Sequence, residues 1–264
     1  MDLSVIIPVK DDVLVEQCVK SIDEDVEIVV VLNGTNQKIR EIVSKLNVKI
    51  LEIEEANLAK ALNYGIITAK NDRVLLMDSD CIFEKGTIEK IYRGLDVAAL
   101  SKGKVIFKSN GIISETIAKV RSFSTSDFCN AYKPPLAFNK NIIQKIGYYF
   151  DPKLIWEEDL DFNNRVISNK LKINWDQTAK IYHPKLKLIN DLKAAYNYGT
   201  GHAYGIINGN FKKIQNVDEK KIKLFQKRFL IETKGYLAYL YYILWQYFYK
   251  KGMRKILKRG DNKK

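Results

Sequence analysis

The first third of the chain alternates short β-branched runs with stretches of helical period, and few architectures accept that order. SVIIPV (Ser4–Val9) is apolar on both faces of an extended chain, as a buried parallel strand requires. Asp11 and Asp12 precede the periodic stretch Val13–Ile22 and are placed to cap a helix there. EIVVVLNG (Glu27–Gly34) is a second strand closed by a turn signal, Gln37–Leu46 a helix, and VKILEI (Val48–Ile53) a third strand. Leu58–Ala69 follows as a helix bearing small residues, and DRVLLMDSD (Asp72–Asp80) as a fourth strand running into an acidic turn. Strands separated by helices of this length imply βαβ units with right-handed crossovers and a parallel sheet. Ligands of such sheets bind beyond the carboxyl ends of the strands. Asn33 and the Asp78–Asp80 turn fall there.

The remaining pattern is more mixed. Val97–Phe107 reads as strand, Ser109–Asp127 as helix, and Leu136–Phe138 as a short strand after the break at Pro134–Pro135. Asn139–Ile146 reads as a short helix closed by Gly147, Trp156–Ser168 as a helix, and Lys172–Tyr182 as an extended piece ending in His183–Pro184. From Leu188 the pattern is helical to the end. At 264 residues the chain can bury a substantial core. Its hydrophobic fraction of 46% and charged fraction of 28% exclude wholesale disorder. The formal net charge of +13 attracts polyanions: nucleic acid, anionic lipid or phosphorylated substrates. Cys18, Cys81 and Cys129 form no CxxC pair and suit a reducing compartment. A strand begins almost at once, so no secretory leader is expected and the protein should stay in the cytoplasm.

Three features carry chemistry. Asp78-Ser79-Asp80 ends a hydrophobic strand, and two carboxylates around a turn can hold one hard divalent cation that bridges to phosphate oxygens. Taken alone, the motif more often describes a solvated acidic turn, and its place at the sheet's carboxyl edge is what favours the cation site. Glu157-Glu158-Asp159-Leu160-Asp161 opens a helix between Trp156 and Phe162. Carboxylates there interact with the helix dipole, and one of them against aromatic surface can serve as a general base. His183 becomes a metal ligand only if the fold carries it to Asp80, and a lone histidine is more often structural. His202 lies in the glycine-rich YGTGHAYG (Tyr198–Gly205), which lacks phosphate-loop spacing. Neither GxGxxG after the first strand nor GxxxxGK[ST] occurs, which disfavours dehydrogenase and P-loop readings.

In order and spacing these pieces resemble the family-two glycosyltransferases of GT-A fold. The resemblance runs over residues 3–205, through SVIIPVKDD (Ser4–Asp12), VVVLNGT (Val29–Thr35), NLAKALNYGI (Asn57–Ile66), LLMDSDC (Leu75–Cys81), LAFNKNIIQKIGYYF (Leu136–Phe150), WEEDLDF (Trp156–Phe162), IYHP (Ile181–Pro184) and YGTGHA (Tyr198–Ala203). It implies an α/β fold with a mostly parallel twisted sheet flanked by helices and a C-terminal helical extension. It also implies a transferase domain over residues 1–205, with a nucleotide-sugar half (1–105) and an acceptor half (106–205), and a separate region 206–264. By the same resemblance Pro8, Val9, Lys10, Asp11, Asn33, Asn57, Lys60, Asn63, Asp78 and Ser79 line the nucleotide sugar, a UDP-sugar being the first expectation. Position 33 departs from the aspartate more usual in the family. Asp80, Asp78 and His183 would hold Mn2+ or Mg2+, and Asp159 would be the base of an inverting transfer, with Glu158 the second candidate. A sugar-phosphate nucleotidyltransferase is an alternative, but Pro8–Val13 offers no glycine-rich loop with Arg and Lys. A non-enzymatic basic membrane or nucleic-acid adaptor is another; the two acidic clusters argue against nucleic acid.

The tail adds a partner. Gly235–Tyr249 reads GYLAYLYYILWQYFY, fifteen uncharged residues followed by the basic KKGMRKILKRGDNKK. A bilayer span needs about 20 apolar residues, so an interfacial helix with a polybasic flank is the expectation. That implies a monotopic protein on anionic lipid at the inner face of the cell membrane, with an acceptor that can be lipid-linked. A buried core helix or an oligomer interface is the other reading of the same run.

Overall fold

The computed structural model describes residues 1–211, 227, 230, 231 and 235–261. The helical pattern expected between Leu188 and the C-terminus therefore lies partly outside the described residues. Two compact units interleave in sequence: residues 1–106 with 129–184, and residues 107–128 with 185–264.

The first unit is built on an eight-stranded sheet in the order β3-β2-β1-β4-β7-β6-β8-β5. These strands are β1 (Leu3–Val9), β2 (Glu27–Asn33), β3 (Lys49–Ile53), β4 (Arg73–Leu76), β5 (Ile82–Phe83), β6 (Leu100–Phe107), β7 (Leu136–Asn139) and β8 (Ile173–His183). The expected parallel half is present: β1 pairs parallel with β2 and β4, and β2 with β3. Every β1 side chain is buried, which explains why its sequence is apolar without alternation. The helices of the first unit are α1 (Val15–Lys20), α2 (Gln37–Val43), α3 (Leu58–Thr68) and α4 (Thr87–Gly94), with α6 (Ile143–Ile146) and α7 (Glu158–Ser168) later in the chain. α3 lays Ala59, Leu62 and Ile66 into one core with Ile6, Val29 and Val31.

Pro8 sits in a central strand without penalty. The pairing of β4 with β1 ends at Ile6↔Leu76, and Met77 N–H donates to the Ile6 carbonyl, so that edge of β1 faces β4. Position 8 faces the same way but lies two residues past the last β1–β4 pair, so its missing N–H interrupts none of those pairs. The β1–β4 pairing ends there. β1 leads away to β2 and β3 on one side while β4 returns on the other, so the opening is a topological switch point.

The rest of the sheet departs from a parallel pattern, and the departure builds the site. β7 runs antiparallel to β4 with Leu76 opposite Leu136, so the residues just before β7 lie beside those just after β4. β5 and β8 are antiparallel with Ile82 opposite Tyr182, which sets the residue before β5 against the one after Tyr182.

The second unit contains α5 (Ile112–Thr125), α8 (Leu188–Ile207) and α9 (Tyr236–Asp261). Ile117, Val120 and Phe123 of α5 share a core with Ala238 and Tyr241 of α9 and the partly buried Leu192 of α8. A polar cluster ties the same helices: Tyr241 Oη donates to Asp191 at 2.6 Å, and Arg121 lies 3.6 Å from the other Asp191 oxygen. Gly199, within Tyr198–Gly205, serves this packing. A Cβ on Gly199 would lie 1.9 Å from the Tyr249 carbonyl oxygen, and one on Gly252 2.0 Å from that of Tyr196. α9 thus buries one face against its own unit and leaves Tyr236, Leu237, Leu240, Leu244 and Tyr247 exposed on another. Among the described residues no helix is long and apolar enough to cross a membrane.

Candidate functional site

The Asp78–Asp80 turn follows β4 at the opening between β1 and β4. Cys18, buried on α1, points its thiol at the Asp78 carbonyl, 3.6 Å away. The β5–β8 register brings His183 to the turn, and its Nε2 lies 3.2 Å from Asp80 Oδ2. His183 Nδ1 is 2.7 Å from the Pro184 carbonyl, which fixes the proton on that nitrogen if the ring is neutral and leaves Nε2 as a lone-pair donor. Cys81 Sγ is 3.3 Å from Asp80 Oδ1. Ligand atoms of Asp80, Cys81 and His183 all lie within 4.8 Å of one another.

Burial disfavours ionised Asp80, but hydrogen bonding and charge from His183, with help from Cys81, outweigh it and hold the carboxyl below its usual value. Burial also opposes a charged His183, and Asp80 again wins, so the imidazole is held above its usual value. Burial and the adjacent carboxylates push the Cys81 thiol well up. A carboxylate oxygen and an imidazole nitrogen suit Mn2+, and less closely Mg2+, which prefers oxygen alone. The protonated thiol is a hydrogen-bond donor to Asp80 rather than a natural third ligand for either ion. Asp12 closes the β1 side of the opening. Burial raises its pKa, and the nearby charge of Asp80 raises it further, against a hydrogen bond from Leu14 N–H.

The second acidic motif reaches the same place. Phe162 stacks on Phe150 at 5.0 Å and packs on Phe138 at 5.4 Å, anchoring α7 beneath β7. Arg165, paired with Asp161, donates to the backbone carbonyls of Ile146, Tyr148 and Tyr149 and satisfies the chain after α6. These contacts give LAFNKNIIQKIGYYF its work, which is to hold the start of α7. Trp156, expected inside the helix, stands before it with φ 78°, and its ring is exposed.

Lys133 joins the two motifs. It precedes β7, and the antiparallel register with β4 delivers it to the acidic turn. Its Nζ is 3.3 Å from Asp78 Oδ1 and 3.7 Å from Glu158 Oε1, with the lysine side chain only 7% exposed. The Asp78 and Glu158 carboxylates therefore lie no further apart than those two distances laid end to end. Burial lifts Glu158 to about 7 against the pull of Lys133. Burial likewise raises Asp159, opposed by Lys133, its helix N–H bond and Lys102. Lys102 of β6 is 1% exposed, hydrogen-bonds the Tyr132 carbonyl, and is lowered to about 7 by burial, against the attraction of Asp159. Neither lysine stood out in the sequence, because nothing acidic flanks either one.

The other expected residues are distributed as follows. Val9 is buried and its carbonyl accepts from Thr35, while Lys10 and Asp11 are exposed at the end of β1. Ser79 lies half-buried between the two aspartates. Buried Asn33 accepts from Asn57 N–H at 2.7 Å, joining the end of β2 to the start of α3. Asn57 caps α3 through Lys60 N–H and donates to the Pro152 carbonyl. Asn63 uses both amide atoms on the backbone of Phe150. Lys60 pairs with Glu55 at the surface. Asn57 and Asn63 thus fasten α3 to the segment ahead of α7.

Residues 4–127 match the family model described as glycosyl transferase family 2. Among solved structures, TarS from S. aureus aligns at TM-score 0.57 and 20% identity, over 79% of this chain and 40% of that one. TarS 1-349 in complex with UDP aligns at 0.55 and 19%, over 76% and 65%. Mannosyltransferase PcManGT from Pyrobaculum calidifontis, in complex with GDP-Man and Mn2+, aligns at 0.65 and 13%, over 97% and 87%. These identities establish likeness of fold. No curated protein sequence matches the chain.

Proposed function

We propose that the chain is a family 2 glycosyl transferase, the family whose model matches residues 4–127, and that it moves a sugar from a nucleotide-diphosphate sugar to an acceptor hydroxyl with inversion, using Asp159 as the base. The observation that carries this reading is Lys133, whose one ammonium group touches both Asp78 and Glu158. A donor-binding turn and a base-bearing helix far apart in sequence then share one cleft.

The donor's nucleotide lies along the carboxyl ends of β1 and β2, against Pro8 to Asp11 and Asn33. UDP in TarS 1-349 and GDP-Man in PcManGT make both nucleotides candidates, with UDP the first expectation. Asp80 and His183 would hold a divalent cation, Mn2+ before Mg2+ for the sake of the imidazole. Such an ion supplies charge neutralisation for a diphosphate leaving group.

This chain's own residues do the rest. The sugar–phosphate bond opens through an oxocarbenium-like state, so little nucleophilic push is needed. Asp159 accepts the acceptor hydroxyl's proton as the new bond forms on the face opposite the leaving group. Its raised pKa makes it a better proton acceptor than an exposed aspartate. Buried Glu158, half-neutral near pH 7, limits the negative charge that Asp159 must share. Lys133 and Lys102 hold that charge in place.

The same reading sets the enzyme at an anionic membrane surface on the cytoplasmic side, with a lipid-linked acceptor, in synthesis of a cell-surface polysaccharide or glycolipid. It is supported by the exposed apolar face of α9 and the lysines that follow it.

A panel of nucleotide sugars, read out by released diphosphate with Mn2+ present, identifies the donor. Asp159→Asn should bind that donor normally and lose transfer by a factor of about 100 to 10,000. Transfer at the wild-type rate would remove Asp159 from the role.

A further inference from the structure

The second unit carries a groove that the transfer reaction does not use. It is a cavity of about 480 Å3 between α8 and α9, walled by Ile189, Leu192, Tyr196 and Phe248, with Lys193 and Lys251 at its rim. We propose that this groove takes the acyl chain of an anionic phospholipid from a bilayer while the rim lysines hold its phosphate. The inference rests on the membrane part of the reading above and is independent of the sugar chemistry.

Three observations lead there. First, the walls are almost wholly apolar, yet the groove opens to solvent and the Ile189 side chain at its edge is 66% exposed. Second, the charge is arranged for an anion. Lys251 Nζ lies 5.8 Å from the Phe248 ring centre and Lys255 Nζ 5.8 Å from that of Tyr196, so cations lean over the aromatic walls. Among the described groove residues there is no acidic side chain. An apolar slot beneath a cationic rim complements a molecule with a hydrocarbon chain and an anionic head. Third, the groove continues the exposed face of α9. Leu237, Leu240 and Leu244 precede Phe248 and Lys251 at helical spacing, so one face runs from apolar to aromatic to basic. A helix lying in the headgroup boundary has that order of side chains.

Removing α9 would strip the core shared with α5 and α8, so the test uses surface substitutions in the full chain. Co-sedimentation is measured with vesicles of phosphatidylcholine alone and with phosphatidylglycerol added. The wild type should bind the anionic vesicles and leave the neutral ones. Lys193→Glu with Lys251→Glu, and separately Ile189→Asp, should each weaken binding by about tenfold or more, with unchanged thermal unfolding. Lys38→Glu with Lys45→Glu, an equal charge change on and beside α2, should leave binding within about twofold. Equal binding to both vesicle types overturns the phosphate role. Full binding by the groove variants overturns the groove but leaves membrane attachment standing, and no binding to any vesicle overturns both. A loss as large in the α2 control means diffuse attraction and refutes the site. A wild-type dimer that Ile189→Asp disperses would show that a second copy, not lipid, fills the groove.

Discussion

Replacing Lys133 by methionine tests the join between the two acidic motifs. The Lys133 side chain is 7% exposed and that of its Glu158 partner 6%, whereas the Asp78 side chain is 35% exposed. Losing the contact with Asp78 matters little, because water can solvate that carboxylate. Losing the contact with Glu158 leaves a carboxylate in the interior without its cation, and breaking a buried pair from one side costs about 3 kcal/mol. The sign with pH follows from Glu158, whose folded pKa is raised to about 7 from 4.5. Between those values the folded state binds more protons than the unfolded chain, so stability falls as pH rises through the window. Without Lys133 the folded pKa rises further, and the falling window extends to higher pH. Urea unfolding of wild type and Lys133→Met at pH 5 and pH 8 checks this. The variant should lose about 3 kcal/mol at pH 8 and distinctly less at pH 5, where Glu158 can be protonated in both proteins. Equal losses at both pH values, or a loss under about 0.5 kcal/mol, would refute a buried bridge.

Other expectations are as direct. Asp80→Ala should abolish the heat-shift stabilisation of the protein by UDP with Mn2+, and chelation with EDTA should abolish transfer; metal-independent turnover contradicts the role of Asp80. Lys102, lowered to about 7 by burial, releases its proton in the folded state before the unfolded chain does, so its contribution to stability should rise between pH 7 and pH 10. Lys102→Met should flatten that rise in urea titrations, and an unchanged slope would remove Lys102 as its source. Gly199→Val should lower stability by about 2 kcal/mol or more, because α8 and α9 cannot keep their spacing; an unchanged melting temperature would contradict that contact.

The parallel half of the sheet could be read from sequence because burial on both faces leaves an uninterrupted apolar run, as in β1 and β2. Asp80 and His183 were named as partners from the resemblance, and the antiparallel register of β5 with β8 supplies the physical reason they meet. That register itself was hidden, since a strand of two residues has no period to detect. Lys133 and Lys102 escaped for a different reason. Their acidic neighbours arrive through strand pairing and from the start of α7, not from their own segments. The acidic run Glu157–Asp161 gave no hint that Asp161 serves Arg165 while Glu158 faces Lys133, because Lys133 arrives from the distant segment before β7. The glycines near His202 were visible as a cluster, but the use of Gly199 in helix contact depends on α9, distant in sequence. The joining of residues 107–128 with 185–264 left no mark in composition.

The central claim is that a donor anchored at Asp80 and His183 presents its sugar to Asp159. Crystals grown with Mn2+ and an unhydrolysable nucleotide sugar test it through the anomalous signal of the manganese. The account predicts one peak coordinated by Asp80 and His183, with the Asp159 carboxylate facing the sugar's anomeric carbon on the side away from the diphosphate. A peak elsewhere, or a sugar whose open face turns away from α7, would contradict it.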